Sequence, residues 1–291
     1  MRAVRVHAFN QLPVVEEVAE PEQRPGHSIV RLRAATVGHI DRTVWSGNFL
    51  QHPPLPYVPG VEGAGIVVSG ERFAPGTRVW LRAADLGTRQ DGTWRELVDA
   101  PDAALGLLPD GVDMATGSAF FSPCTSAWVA LNDIARLQPG ERVRITGASG
   151  AVGSIAVQLA QEIGAAVSTS SGPLAEGEAG VDLLLDTIGG PMLEENLRAV
   201  VPGGRAVLVG YTAGNELALN LAHFLQRDVA LLPLNMFRRE PSGRAAAPEL
   251  LARLADGRLQ LAVQTFALEE AARAMQWITE RGHRGRAVLT V

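Results

Sequence analysis

The sequence predicts an α/β protein in two parts, a mostly β domain and a doubly wound parallel-sheet domain. Three observations predict it. Up to about residue 110, short alternating apolar segments are separated by Pro- and Gly-rich turns, the pattern of an all-β unit. Beyond Met114, apolar strands alternate with helical segments, as in parallel sheets covered by helices on both faces. In residues 141–164, strand, glycine turn and helix follow one another without a break.

Each element follows from its local pattern. Ala3–Phe9 and Ser28–Ala34 alternate apolar and polar residues and read as half-buried antiparallel strands, with a Pro- and Gly-rich turn at Pro21–His27. Gly38–Ser46 reads as a short helix with Asp41 near its start, and Pro53–Gly60 as a rigid extended loop. Gly65–Val68, Arg78–Leu81 and Trp94–Val98 are further strands, with turns at Gly70–Gly76 and Gly87–Gly92. Ser118–Ala135 reads as one helix despite Pro123. Val143–Thr146 is a β-branched buried strand, and Ser154–Ile163 a helix carrying Ile155, Leu159 and Ile163 on one face. Strands follow at Ala165–Thr169, Val181–Asp186, Arg205–Gly210 and Val229–Leu234, with a helix at Pro191–Val200. Residues 248–256 and 269–281 are helical, and the tail Arg286–Val291 is a strand that returns to the first domain. The parallel-sheet domain, 118–261, is therefore expected as an insertion between residues 1–117 and 262–291 of the other.

Composition narrows the function classes. The chain has 291 residues, 46% hydrophobic and 20% charged, ordinary for a globular protein of one or two domains. Its net charge of −5 is spread along the chain with no basic patch, which argues against nucleic acid. All the basic residues are Arg, so Schiff-base chemistry on lysine is excluded. The single Cys124 excludes an internal disulfide and a multi-cysteine zinc site, and reads as an inert buried thiol. Charges interrupt the N-terminal apolar stretch, so it is not a signal peptide, and no apolar run approaches the ~20 residues of a membrane span. A cytoplasmic protein is expected.

The chemistry concentrates in Ala148-Ser149-Gly150-Ala151-Val152-Gly153. Gly150 lets the backbone approach a pyrophosphate without a Cβ in the way, and Gly153 lets the following helix pack close to the strand. Free N–H groups and the positive dipole end at the helix start face the phosphates. This is the setting a dinucleotide fingerprint requires, although Ala148 stands where the pattern has its first glycine. The alternative is a tight strand-to-helix turn with no ligand.

Many ordered segments together resemble the medium-chain dehydrogenase/reductase superfamily, in its zinc-free, zeta-crystallin-like quinone oxidoreductase branch. They are Asp41–Gly47, LPYVPGVEGAGIVV (55–68), DGTWRELVDAP (91–101), LLPDGVD (107–113), TSAWVAL (125–131), LQPGERVRITGASGAVGSIAVQLAQEIGA (137–165), DTIGG (186–190), LRAVVPGGRAVLVG (197–210), FALEEAARAM (266–275) and HRGRAVLTV (283–291). The resemblance implies a GroES-like β domain plus a Rossmann domain. It implies NADPH-dependent reduction of an α,β-unsaturated carbonyl or quinone, with hydride delivered to the β-carbon. It places Asn235 and Phe237 near the nicotinamide and implies a homodimer paired through the Val229–Leu234 sheet edge. Thr187, Gly210 and Tyr211 join the cofactor site, Tyr211 because it follows Gly210 at the end of a parallel strand, where open sheets place ligands. The zinc-dependent sister branch takes a Cys, a His and a further Cys or carboxylate. The matching positions here are Gly38, Val61 and roughly Ser122, so no metal is expected, although His39 and Glu62 adjoin two of them.

The chain departs from the family in two places. After the second strand, Thr169-Ser170-Ser171 runs directly towards Val181, which leaves no room for a helix crossover, so about one α–β unit is missing. The acid that would hold an NAD ribose is absent, and Ser170 and Ser171 lean towards a 2′-phosphate. No basic residue lies between Arg144 and Arg198, so NADPH is expected with a weakly held adenosine end; the alternative is a scaffold that has lost this pocket. At the reacting centre, the family's Asn near Gly38 and Tyr near Phe49 are missing. His39, Asp41 and Tyr211 are the candidate catalytic groups, with Asp41 alternatively a helix N-terminal charge and His39 a structural histidine. Trp45, Phe49, His52, Tyr57 and Trp128 are candidates for the substrate pocket, with packing as the alternative role of Tyr57 and Trp128. Two function classes remain open: a reductase, and a redox-neutral isomerase, lyase, cyclase or binding protein on the same scaffold.

Overall fold

The structure is a computed structural model that describes residues 1–82, 85–169, 179–280, 282 and 284–291, with His223 described by its backbone alone. The chain runs β1 (Arg2–Arg5), β2 (Val14–Glu17), β3 (His27–Val37), α1 (His39–Trp45), β4 (Glu62–Ser69), β5 (Arg78–Arg82), β6 (Leu97–Pro101), β7 (Leu105–Leu107) and α2 (Met114–Ala119). Next come α3 (Phe121–Trp128) with a π-helical continuation at Val129–Ile134, β8 (Arg142–Ile145), α4 (Ala151–Ile163), β9 (Ala166–Ser168), β10 (Val181–Asp186), α5 (Met192–Arg198), β11 (Val200–Leu208), α6 (Leu221–Arg227), β12 (Ala230–Pro233) and α7 (Met236–Ala255). It closes with β13 (Val263–Ala267), α8 (Ala271–Trp277) and β14 (Arg286–Thr290). Two compact units divide it: Met1–Phe121 with Leu251–Val291, and Ser122–Leu250.

The first unit is built on a seven-stranded sheet in the order β13-β14-β3-β4-β5-β7, with β6 also paired to β3. Its spine is β3, which pairs antiparallel with β14, β4 and β6. The tail strand thus returns to this unit through Ala287↔Val37 and its neighbours. Trp94 is fully buried, and its indole N–H donates to the Thr36 carbonyl at 2.9 Å. That anchor explains one difference from the sequence reading: the strand predicted at Trp94–Val98 begins only at Leu97, because Trp94 turns inward from the preceding loop. The short β2, antiparallel to β1, escaped prediction because Val14-Val15-Glu16-Glu17 does not alternate.

Ser118–Ala135 is not one helix. Helix α2 ends at Ala119 and α3 starts at Phe121, which puts Pro123 in its first turn, where a missing N–H breaks no helical bond. Helix α7 is twenty residues long and starts at Met236, well before the predicted start at 248. Pro241, Gly243 and Pro248 hide its periodicity, as breakers do in any pattern-based reading.

The second unit holds a five-stranded sheet in the order β12-β11-β10-β8-β9, parallel at every pairing. Val143, Ile145, Leu183, Leu184 and Leu185 are fully buried, as expected of strands covered on both faces. The chain leaves β8 for β9 on one side and resumes at β10 on the other, so the strand order reverses between β8 and β10. Open α/β sheets bind ligands beyond the carboxyl ends of the strands at such a reversal. Ser170, Ser171 and the shortened crossover lie outside the described residues. Among the described residues, no helix is long and apolar enough to cross a membrane.

Candidate active site

The glycine turn joins β8 to α4 at this reversal, and its three glycines do different work. Gly147 has φ of 63°, and a Cβ there would stand 2.3 Å from Thr187 Oγ1, so both backbone and neighbour require glycine. At Gly153 a Cβ would meet the Gly147 carbonyl oxygen at 2.2 Å, so α4 packs against the turn only because nothing is there. Gly150 is under neither constraint: its φ of −76° and ψ of 168° suit any residue. Among the described residues, its Cβ would meet only the Gly147 carbonyl oxygen, at 3.2 Å. The fold therefore tolerates a side chain there.

Helix α4 has no side-chain cap. The Gly150 N–H turns back to Gly147 O and the Ser154 N–H reaches Gly150 O, each at 2.9 Å. The N–H groups of Ala151, Val152 and Gly153 are the first-turn donors that no helical carbonyl can satisfy. Ser149 and Gly150 are exposed, so these donors sit beside open solvent, at the positive end of a thirteen-residue helix. Three first-turn N–H groups with no side-chain cap among the described residues fit a pyrophosphate.

The other predicted cofactor residues stand at the same edge of the sheet. Thr187 follows β10; its N–H donates to Thr146 Oγ1 at 3.1 Å and its hydroxyl to Thr146 O at 2.8 Å. Gly210 follows β11, where a Cβ would lie 2.2 Å from Thr187 O. Next to it Tyr211 is 73% exposed. Asn235 and Phe237 follow β12; Asn235 Oδ1 caps α7 by accepting the Arg238 N–H at 3.2 Å, and Phe237 is exposed. Turn, Thr187, Gly210–Tyr211 and Asn235–Phe237 thus follow the carboxyl ends of four parallel strands of one sheet.

In the first unit, the predicted groups separate by environment. His39 opens α1 and is exposed. Asp41, two residues on, is fully buried, and its Oδ2 accepts the Gly38 N–H at 2.7 Å, closing the first turn of α1. Its Oδ1 is buried without a hydrogen-bond partner. Burial pushes its carboxyl up to about 7; the nearby Glu62 adds to the rise, while Arg286 and Arg82 oppose it. Glu62 is itself fully buried and accepts from Arg286 at 2.6 Å. Trp45, Phe49 and Tyr57 come together around Val6 and Val44. Tyr57 is buried with an unpartnered hydroxyl, and burial followed by the charge of Asp41 raises its phenol above the ordinary range. His52 packs edge-on to Phe9, with ring centroids 4.7 Å apart. Trp128 ends α3 in the other unit, half-buried.

The sequence reading missed Asp186, Thr146 and the Arg286–Glu62 pair. Polar residues closing otherwise apolar strands were the signal for the first two. For the pair there was none, since its members lie far apart in the chain.

A parallel sheet with a phosphate-competent turn at its reversal, in a chain that also carries a mostly antiparallel β unit, defines the class of two-part dinucleotide-dependent dehydrogenases. Comparison with known proteins agrees. Residues 24–110 match the alcohol dehydrogenase GroES-like domain, and residues 165–289 the zinc-binding dehydrogenase family. The chain is 29% identical over 245 residues to a quinone oxidoreductase of Lama guanicoe, covering 72% of this chain and 73% of that protein. The quinone oxidoreductase of Thermus thermophilus, solved also in complex with NADPH, superposes with a TM-score of 0.79 at 26% identity over the full length of both chains. An NAD-dependent alcohol dehydrogenase superposes with a TM-score of 0.87 at 27% identity, again over both full chains. The chain belongs to the medium-chain dehydrogenase/reductase superfamily, in its quinone oxidoreductase branch. One matching family is named for zinc, but among the described residues no three His, Cys, Asp or Glu side chains come together as ligands. The described residues offer no ligand set that fits a catalytic zinc.

Proposed function

We propose that this protein is a cytoplasmic, zinc-independent oxidoreductase that uses NADPH to reduce an enone, a quinone or a related enoyl substrate. The observation that carries the reading is the uncapped start of α4 beside an unobstructed Gly150, at the point where the strand order reverses. The N–H groups of Ala151, Val152 and Gly153 bind the pyrophosphate, and Thr187, Gly210, Tyr211, Asn235 and Phe237 border the rest of the dinucleotide. When bound, NADPH supplies the hydride that goes to the β-carbon of the substrate. The α-carbon then needs a proton; His39 and Tyr211, both exposed, can exchange one with water, whereas Asp41 is sealed from solvent. Trp45 and Phe49, half-buried, offer apolar surface for a conjugated substrate, whereas Tyr57 is buried beneath them and packs rather than lines a pocket.

The test is NADPH oxidation against a panel of enones and quinones, with deuterium at the transferable position of the cofactor. Deuterium at the product's β-carbon is expected. A second reading, a redox-neutral activity on the same scaffold, draws on the absence of any basic residue between Arg144 and Arg198. Cofactor binding without turnover of any acceptor would favour it.

A homodimer is part of the proposal. Strand β12 is the outer strand of its sheet, and Leu221 and Leu225 on α6 are 66% and 67% exposed, an apolar edge that pairing would cover. Light scattering at micromolar protein should give twice the chain mass; a monomer mass contradicts it.

A further inference from the structure

We propose that Asp186 is a positioning residue of the dinucleotide site, an inference that rests on the cofactor reading above. It closes β10 and is fully buried. Its Oδ1 accepts the hydroxyl of Thr146 at 2.7 Å, and its Oδ2 accepts the N–H of Gly189 at 2.6 Å. With its hydrogen committed to Asp186, the Thr146 hydroxyl presents a lone pair to the Thr187 N–H. The backbone completes the knot: Thr146 N–H donates to Leu185 O at 3.0 Å, and Val209 N–H to Asp186 O at 2.8 Å. The Asp186 carboxylate therefore ties the end of β8 to the turn after β10, and the backbone carbonyl of the same residue holds the end of β11.

The knot reaches the cofactor edge through contacts with no slack. Gly147 and Gly210 both pack against Thr187, so closely that a Cβ on either would overlap it. A displacement of Thr187 therefore moves the glycine turn on one side and the Gly210–Tyr211 segment on the other. Asp186 holds that spacing without touching the ligand itself.

The chemistry of the knot requires a carboxylate. Both of its neighbours are donors, so two acceptor oxygens are needed. Asn has nearly the same shape but one acceptor, and would turn its NH₂ towards either a hydroxyl hydrogen or an N–H. Asp186→Asn therefore tests the acceptor count at constant volume, and leaving a buried donor unsatisfied is the costly side of a hydrogen bond.

The experiment is the affinity for NADPH of the wild type, Asp186→Asn, Thr146→Val and Thr146→Ser, measured by fluorescence or calorimetry well below each melting temperature. Asp186→Asn and Thr146→Val should each bind about tenfold more weakly or worse. Thr146→Ser, which keeps the hydroxyl, should restore affinity to within about twofold of the wild type. If Asp186→Asn fails to fold, the contrast between the two Thr146 variants decides. Wild-type affinity in folded Asp186→Asn, or equal affinity in Thr146→Val and Thr146→Ser, overturns this inference while leaving the cofactor reading intact. A wild type that binds no dinucleotide overturns the cofactor reading, and this inference falls with it.

Discussion

Gly150→Val leaves the chain folded and weakens dinucleotide binding by about a hundredfold or more, about 2.7 kcal/mol. The fold has no objection to the substitution. Gly150 sits at φ −76° and ψ 168°, a region β-branched residues favour. Among the described residues the new Cβ meets only the Gly147 carbonyl oxygen, at 3.2 Å, which a shift of a few tenths of an ångström relieves. What the valine does is stand over the Ala151–Gly153 N–H groups and keep a phosphate oxygen from reaching them. The melting temperature should stay within a few degrees of the wild type. Gly153 makes the contrast: a Cβ there, 2.2 Å from Gly147 O, breaks the turn itself and cannot separate access from folding. Titration of Gly150→Val with NADPH decides, and retained affinity would mean that the turn is structural only.

The second large effect is on stability against pH. The Asp41 carboxyl has a folded value of about 7 against an ordinary 3.8, because burial disfavours its charge. A raised carboxyl contributes stability that is fully present below its unfolded value and lost as pH climbs through the folded one. The wild type should therefore lose a few kcal/mol from this group between about pH 4 and pH 7. Asp41→Asn cannot ionise, and its amide oxygen can still accept the Gly38 N–H, so its curve should lack that decline. Carboxylates held low by arginine partners, such as Glu141 beside Arg205 and Asp182 beside Arg142, pull the other way. Both proteins share them, so the difference between the two curves isolates Asp41. Urea unfolding at several pH values across that window gives it, and parallel curves would contradict the burial argument.

How much of this was legible beforehand differs between the units. The parallel sheet was readable because buried parallel strands are near-continuous apolar runs, such as Val181–Asp186, separated by glycine turns and helices. The turn after β8 was readable because only glycines permit its close approaches. Limits appeared where tertiary partners override local pattern. Trp94 looked like a strand residue until the Thr36 carbonyl claimed its indole. Helix α7 was half-hidden by prolines at positions 241 and 248, which its packing tolerates. The buried charges were the least legible feature. Arg286 and Glu62 meet across strands more than two hundred residues apart in sequence, and Asp41 looked like an ordinary helix-start acid. Asp186 stands at the head of DTIGG, yet its two donors became visible only once β8 and β10 were placed side by side.

The central claim is that the start of α4 binds a nicotinamide dinucleotide. Calorimetric titration of the purified wild-type protein with NADPH, and separately with NADH, tests it most directly. The account predicts binding of NADPH in the micromolar range, tighter than NADH. No heat from either cofactor, together with no competition between them and a fluorescent dinucleotide analogue, would contradict it and turn the search to redox-neutral chemistry on this scaffold.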